Sequence, residues 1–247
     1  MRKKIMSVVL GFFCATALSA ADIYLAGDST MADYAEQQYP QTGWGQVLKL
    51  FVKDGVKVHN FARGGRSTKS FRSEGRWDTL LNQVSPGDFV IIQFGHNDAN
   101  IKNLNCYSDP DKEYPENLRQ YIRDVRKKGG SPVICTPIVF MSFRNGKIHQ
   151  SEGFAKYSEA ARRVAAEEKA DMIDLNAWSS QELSRLGTKK AADIYMCLES
   201  GKYPNYLKGK RDTCHLQYNG AVFYAKGMIQ LAKSGKMKIG ELFNPEP

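Results

Sequence analysis

The stretch Ile23-Tyr24-Leu25-Ala26-Gly27-Asp28-Ser29-Thr30, IYLAGDST at residues 23–30, begins as an apolar run and stops at a glycine, a carboxylate and two hydroxyls. An apolar run closed by small polar residues reads as a buried strand ending in a turn. A nucleophile held at a strand tip would look the same, so the rest of the chain has to decide.

Four more runs read as strands: VKVHNFA, DFVIIQFG, SPVICTP and ADMIDLN. The second and third of these are almost continuously apolar, as expected of strands covered on both faces. Between and after the strands lie helical patterns. GWGQVLKLFVKD places Val47, Leu48 and Phe51 at helical spacing, and YPENLRQYIRDVRKKGG places Leu118, Ile122 and Val125 on one face. EGFAKYSEAARRVAAEEKA is amphipathic, and YNGAVFYAKGMIQLAKSG closes the domain. Strand–helix alternation of this kind predicts an α/β fold with a parallel sheet between helices. Ligands of such sheets bind beyond the carboxyl ends of the strands. Those ends carry Gly27-Asp28-Ser29-Thr30, then ARGGRST with Gly64 and Gly65, then Gly95-His96-Asn97-Asp98. Asp212-Thr213-Cys214-His215 stands before the last helix.

The 247 residues suffice for one sizeable domain, and 42% hydrophobic and 25% charged residues are ordinary globular values. Residues 1–21 are set apart. Arg2, Lys3 and Lys4 precede the apolar run IMSVVLGFFCATAL and the small residues of ALSAAD, the pattern of a signal peptide. The expectation is a secreted or periplasmic protein with one domain over residues 22–247, and no membrane association after cleavage. Loss of those three basic residues takes the formal charge from +9 to +6, since no acidic residue precedes Asp22. Nucleic acid ranks last among partners, because no reader motif or long basic block is present. Of five cysteines, Cys14 lies in the apolar run, leaving Cys106, Cys135, Cys197 and Cys214. Cys135 reads as a buried thiol; Cys197 and Cys214 flank a loop and could pair.

Each strand-end motif has a plain reading as a turn or cap, and Asp212, Cys214 and His215 alone would make only a crude metal site. Their conjunction, in order and at strand ends, is what carries information. AGDSTMADY, GWGQ, NFARGGRSTKSFRSEGRW, IIQFGHNDAN and DTCHLQYNGA together resemble the SGNH (GDSL-like) hydrolases, and among them the rhamnogalacturonan acetylesterases. The resemblance implies a three-layer α/β/α sandwich, flavodoxin-like, with a mostly five-stranded parallel sheet. It implies Ser29 as nucleophile with Asp212 and His215 completing a triad. It implies an oxyanion hole from Ser29, Gly65 and Asn97, although Gly64 competes with Gly65. Cys214 departs from the family, where threonine usually precedes the histidine. The chemistry fits these types: a serine hydroxyl needs an adjacent base, and a carboxylate orients that base. A separation of three residues lets Asp212 and His215 share one short loop. Asp28 is read as structural, satisfying turn amides.

For substrate, the resemblance implies an acetylated, anionic polysaccharide. Arg63, Arg66, Lys69, Arg72 and Arg76 follow the second strand, and arginine suits carboxylate recognition. Arg66, His96 and Trp77 are the expected substrate contacts, and Tyr34 and Trp44 are further aromatic candidates, Trp44 more as a packed residue. His59 is read as structural and His149 as exposed. No cofactor or metal is expected, and a monomer is. Three classes compete: a glycan O-acetylesterase on pectin or xylan, a lysophospholipase or thioesterase of the same superfamily, and a non-catalytic glycan binder.

Overall fold

The computed structural model describes residues 21–245. The signal-peptide reading therefore lies outside the described residues, apart from Ala21. Five strands form one parallel sheet: β1 (Ile23–Gly27), β2 (Val58–Asn60), β3 (Phe89–Gln93), β4 (Ser131–Cys135) and β7 (Asp171–Ile173), in the order β2-β1-β3-β4-β7. All five strands expected from the sequence are present. The order reverses at β1, so the crevice between the ends of β1 and β3 is the switch point of the sheet. Register makes this concrete: Gly27 pairs with Gln93, so the segments that follow them leave the sheet side by side.

Alternation along the strands sorts the core into two layers. Ile23, Leu25, Ile91, Val133 and Ile173 face one way, against α1 (Trp44–Leu48), α6 (Leu175–Ala192) and α7 (Tyr218–Ser234). Tyr24, Ala26, Val90, Ile92 and Ile134 face the other, against α2 (Thr68–Ser73), α3 (Arg76–Leu81), α4 (Glu113–Lys127) and α5 (Glu152–Glu167). Each fully buried aliphatic side chain contributes about 1.5–3 kcal/mol, which accounts for the apolar runs at these positions. The result is the three-layer sandwich expected.

Two elements differ from expectation. The helix expected over residues 43–54 is only Trp44–Leu48. The chain beyond it is drawn into extended pairing by the C-terminal segment: Val52 bridges Phe243, Lys53 N donates to Leu242 O, and Asn244 N donates to Phe51 O. Two hairpins had no sequence signal. One is β5 (Phe143–Arg144) with β6 (Lys147–Ile148); the other is β8 (Tyr195–Leu198) with β9 (Lys210–Leu216). The second hairpin carries Asp212 and His215. Cys197 and Cys214, considered as a pair, are both free thiols, as are Cys106 and Cys135. Among the described residues, no helix is long and apolar enough to cross a membrane.

Candidate active site

The turn after β1 is built around Asp28. Its carboxylate is fully buried, and Oδ1 accepts from Thr30 N at 2.9 Å and Thr30 Oγ1 at 2.8 Å. Its other oxygen lies 3.2 Å from Nδ1 of His96. Burial by itself pushes this carboxyl up, but His96 and the Thr30 donors outweigh it and hold Asp28 below the usual carboxylate range. Asp28 thus organises the turn as expected. Thr30 Oγ1 accepts from Gln93 Nε2 at 2.7 Å, and Gln93 Oε1 accepts from Trp44 Nε1 at 3.0 Å. One buried polar chain therefore runs from GWGQ through β3 to the residues flanking Ser29. Trp44 is fully buried in it, which removes it as a sugar platform.

The loop after β2 lies over this turn. A Cβ on Gly64 would sit 3.6 Å from Ser29 Cβ, so Gly64 is the residue packed against Ser29. The amide nitrogen bonded to the Gly64 carbonyl carbon is that of Gly65, and Gly65 has φ +79°, which glycine adopts without strain. Asn97 is tied to the same loop by Nδ2 donating to Arg66 O at 3.0 Å. Asp98 binds Thr68 N and Oγ1 at the start of α2, whose N-cap Ser67 forms a reciprocal capping box with Ser70. The loops after β2 and β3 are thereby stapled to each other. Among the described residues, the N–H groups of Ser29 and Gly65 donate no hydrogen bond, and Asn97 Nδ2 makes only the one to Arg66.

Asp212 and His215 sit on β9, where a short loop was expected. Pairing with β8 jumps from Cys197↔Arg211 to Tyr195↔Leu216, so residues 212–215 bulge opposite Met196 alone. The bulge lets Asp212 fold back on its own strand. Oδ1 accepts from Cys214 N at 2.9 Å and His215 N at 3.0 Å, and Oδ2 lies 2.8 Å from His215 Nδ1. Burial opposes ionisation here too, but the His215 hydrogen bond and the two amides prevail and hold Asp212 far below the usual range. Lys210 Nζ lies 3.2 Å from the same Oδ2, a neighbour that no sequence pattern announced. With Nδ1 on the carboxylate, Nε2 of His215 is the nitrogen left to face a substrate. Two backbone bonds draw this strand to the nucleophile turn: Thr42 N donates to Leu216 O at 3.0 Å, and Trp44 N donates to Thr30 O at 2.9 Å. Burial pushes the Cys214 thiol up, and the charge of Asp28 adds to it, so the two motifs are electrostatic neighbours.

The expected substrate contacts fare differently. Trp77 is 2% exposed, packs edge-on against Tyr121 at 4.3 Å and donates from Nε1 to Asp124 Oδ2 at 3.1 Å. It is a core residue of the α3–α4 layer and presents no face to a sugar, contrary to expectation. The His96 side chain is 5% exposed, with Nδ1 at Asp28 and its ring against Phe140 and Phe154. It was expected to face the cleft, and it lines a cavity of about 520 Å³ together with Asn100, Tyr107, Phe140 and Phe154. Arg66 places Nε on both Glu74 oxygens, at 3.2 and 3.0 Å, and one terminal nitrogen on Gly64 O at 2.8 Å. Its guanidinium braces the loop that carries Gly65. Arg76 also binds Glu74, and Lys69 binds Leu104 O. Arg63 is exposed. Tyr34 was expected only to stack on sugar; its hydroxyl donates to Ser29 O at 2.8 Å. Among the described residues, no group of three His, Cys, Asp or Glu side chains is placed to hold a metal ion.

The GDSL-like lipase/acylhydrolase family matches residues 25–195. This chain belongs to that family. It is 34% identical over 205 residues to the rhamnogalacturonan acetylesterase RhgT of Bacillus subtilis, covering 83% of this chain and 86% of that one. It is 36% identical over 221 residues to the protein named "Probable rhamnogalacturonan acetylesterase YesY" of the same organism, covering 90% and 94%. Among solved structures, protein YXIM of Bacillus subtilis superposes with TM-score 0.76 at 31% identity, over 88% of this chain and 57% of that one. The membership makes this GDSL-family chain a serine esterase with the SGNH hydrolase fold.

Proposed function

We propose that this GDSL-family esterase removes O-acetyl groups from a pectic glycan, rhamnogalacturonan, through an acyl-enzyme on Ser29. The observation that carries the reading is that the Ser29 and Gly65 N–H groups and the second Asn97 Nδ2 hydrogen are unspent among the described residues, on the loops that follow the adjacent strands β1, β2 and β3. Such a set suits the oxyanion of a tetrahedral intermediate, because preorganised donors cost no reorganisation as charge develops.

In this reading His215 Nε2 takes the Ser29 proton as Oγ attacks the acetyl carbonyl carbon. Asp212 holds the ring through Nδ1 and stabilises the imidazolium. The imidazolium returns the proton to the sugar oxygen, which leaves as an alcohol. Water then attacks the acetyl-Ser29 ester, with His215 again as base, and acetate departs. Support for the glycan comes from the two acetylesterase relatives. The signal-like residues 1–21 support a secreted or periplasmic site of action.

The test is acetate release from acetylated rhamnogalacturonan and acetylated xylan in parallel, with Ser29→Ala as control. Release from the first, abolished in the variant, is expected. Preference for xylan would keep the esterase mechanism and discard the pectic substrate. Acetate release by Ser29→Ala equal to wild type would discard the mechanism.

A further inference from the structure

A cavity of about 420 Å³ opens beside the nucleophile turn, lined by Tyr34, Glu36, Tyr39, Gln41, Gln46 and Asn205 with Ala35 and Thr42 between them. Two hydrogen bonds fix where it lies. Tyr34, in its wall, donates to Ser29 O at 2.8 Å. Thr42, in the same wall, donates from its backbone to Leu216 O, the residue after His215, at 3.0 Å. The cavity thus abuts the chain at both ends of the proposed triad.

Its walls are set in advance of any ligand. The Gln46 amide brackets the Tyr34 backbone, accepting from N at 3.0 Å and donating to O at 3.1 Å. Asn205 Nδ2 reaches across from the loop before β9 to Tyr39 O at 3.2 Å, and Tyr39 packs edge-on against Tyr203 at 6.1 Å. Gln41 Oε1 accepts from Lys210 Nζ at 3.2 Å and Tyr206 Oη at 3.4 Å. The half-exposed Tyr39 is the large aromatic surface on this rim. Burial pushes the Tyr34 phenol up to about 12, so it stays a donor throughout the neutral range.

Aromatic rings beside amides suit a sugar, whose C–H faces pack on the ring while its hydroxyls bond the amides. Charge narrows the class. Glu36 is the one carboxylate in the lining, and Lys210, the cation that reaches the wall at Gln41 Oε1, is paired with Asp212 Oδ2 at 3.2 Å. A uronate would meet like charge there, whereas a carboxylate accepts readily from sugar hydroxyls. We propose that this cavity is a glycan subsite for an uncharged pyranose ring, the neighbour in the chain of the acetylated sugar. The assignment rests on the glycan acetylesterase reading above.

The experiment compares wild type, Tyr39→Ala and Tyr39→Phe in two ways. The first is kcat/KM on acetylated rhamnogalacturonan oligosaccharide relative to p-nitrophenyl acetate. The second is saturation-transfer NMR with deacetylated oligosaccharides ending in a neutral or a uronic residue. Tyr39→Ala is expected to lower the glycan-to-small-ester ratio about tenfold, the scale of one lost aromatic contact, and Tyr39→Phe to restore it. Saturation should fall on the neutral residue and depend on Tyr39. An equal loss on both substrates would overturn the subsite while leaving the glycan reading standing, as would saturation confined to the uronate. Acetate release from no glycan, with neutral-residue binding still dependent on Tyr39, would overturn the glycan esterase reading and retain the subsite.

Discussion

Asn97 and His96 are adjacent in the chain, yet their side chains take opposite roles, and each role makes a distinct prediction. Asn97 is held by Arg66 O on the loop after β2, and among the described residues its amide keeps a second hydrogen unspent. Asn97→Ala is expected to lower kcat by about 10²–10³ with little change in KM, since the donor is worth most when the oxyanion forms. Steady-state kinetics on p-nitrophenyl acetate checks this, and an unchanged kcat would remove Asn97 from the oxyanion hole. His96 points inward and pairs with Asp28, which is 0% exposed. His96→Leu strands a buried carboxylate and should cost about 3 kcal/mol in urea unfolding, partly recovered in His96→Leu/Asp28→Asn. Equal stability of the single and double variants would contradict the pairing. The triad candidates came from the joint resemblance of the strand-end motifs to a known family, since each motif alone reads equally well as a turn or cap. Trp77 was misread because proximity in sequence to a motif says nothing about which way a side chain is turned. Lys210 was missed although it stands two residues before Asp212, because a lone lysine carries no pattern.

At the scale of elements, the motif GWGQ shows how a short helix can position a distant serine. Gly43 lets α1 lie directly on the nucleophile turn: a Cβ there would stand 2.2 Å from Ala32 O. The obstacle is backbone, which cannot swing aside as a side chain would. Gly43→Ala is therefore expected to cost about 1–3 kcal/mol and to lower kcat by shifting the turn. Thermal unfolding and kinetics on the same preparation check it, and wild-type values in both would contradict the contact. β9 carries the opposite lesson. Sequence placed Asp212 and His215 three apart but did not reveal the hairpin, because the four residues bulged opposite Met196 break the alternation by which strands are recognised. α1 ends early for a similarly non-local reason, the pairing of Val52 with Phe243, which lies far along the chain.

The whole molecule was the most legible scale. Five apolar runs alternating with amphipathic helices leave few arrangements, and a parallel sheet with its ligand crevice at the switch point is the favoured one. What alternation could not give is the buried polar web that joins the loops at that end. Asp98 is its clearest member, fully buried on Thr68. Burial raises its carboxyl to about 7, despite the Thr68 hydrogen bonds that oppose the shift. A native group raised above its unfolded value of about 4 binds the extra proton between those two values. Its stabilising contribution is complete below about pH 4 and is lost as pH rises through about 7. The stability of wild type relative to Asp98→Asn should therefore decline across that window, read by urea unfolding at several pH values. A difference that is flat with pH, or that grows, would contradict the assignment.

The central claim is that the strand IYLAG delivers Ser29 to its partners as a nucleophile. The direct measurement is mass spectrometry of the protein after reaction with a fluorophosphonate, which traps an activated serine. One adduct on the Ser29 peptide, absent from Ser29→Ala and formed far more slowly in His215→Gln, is the predicted result. An adduct on another residue, or an equal rate in His215→Gln, would contradict the account.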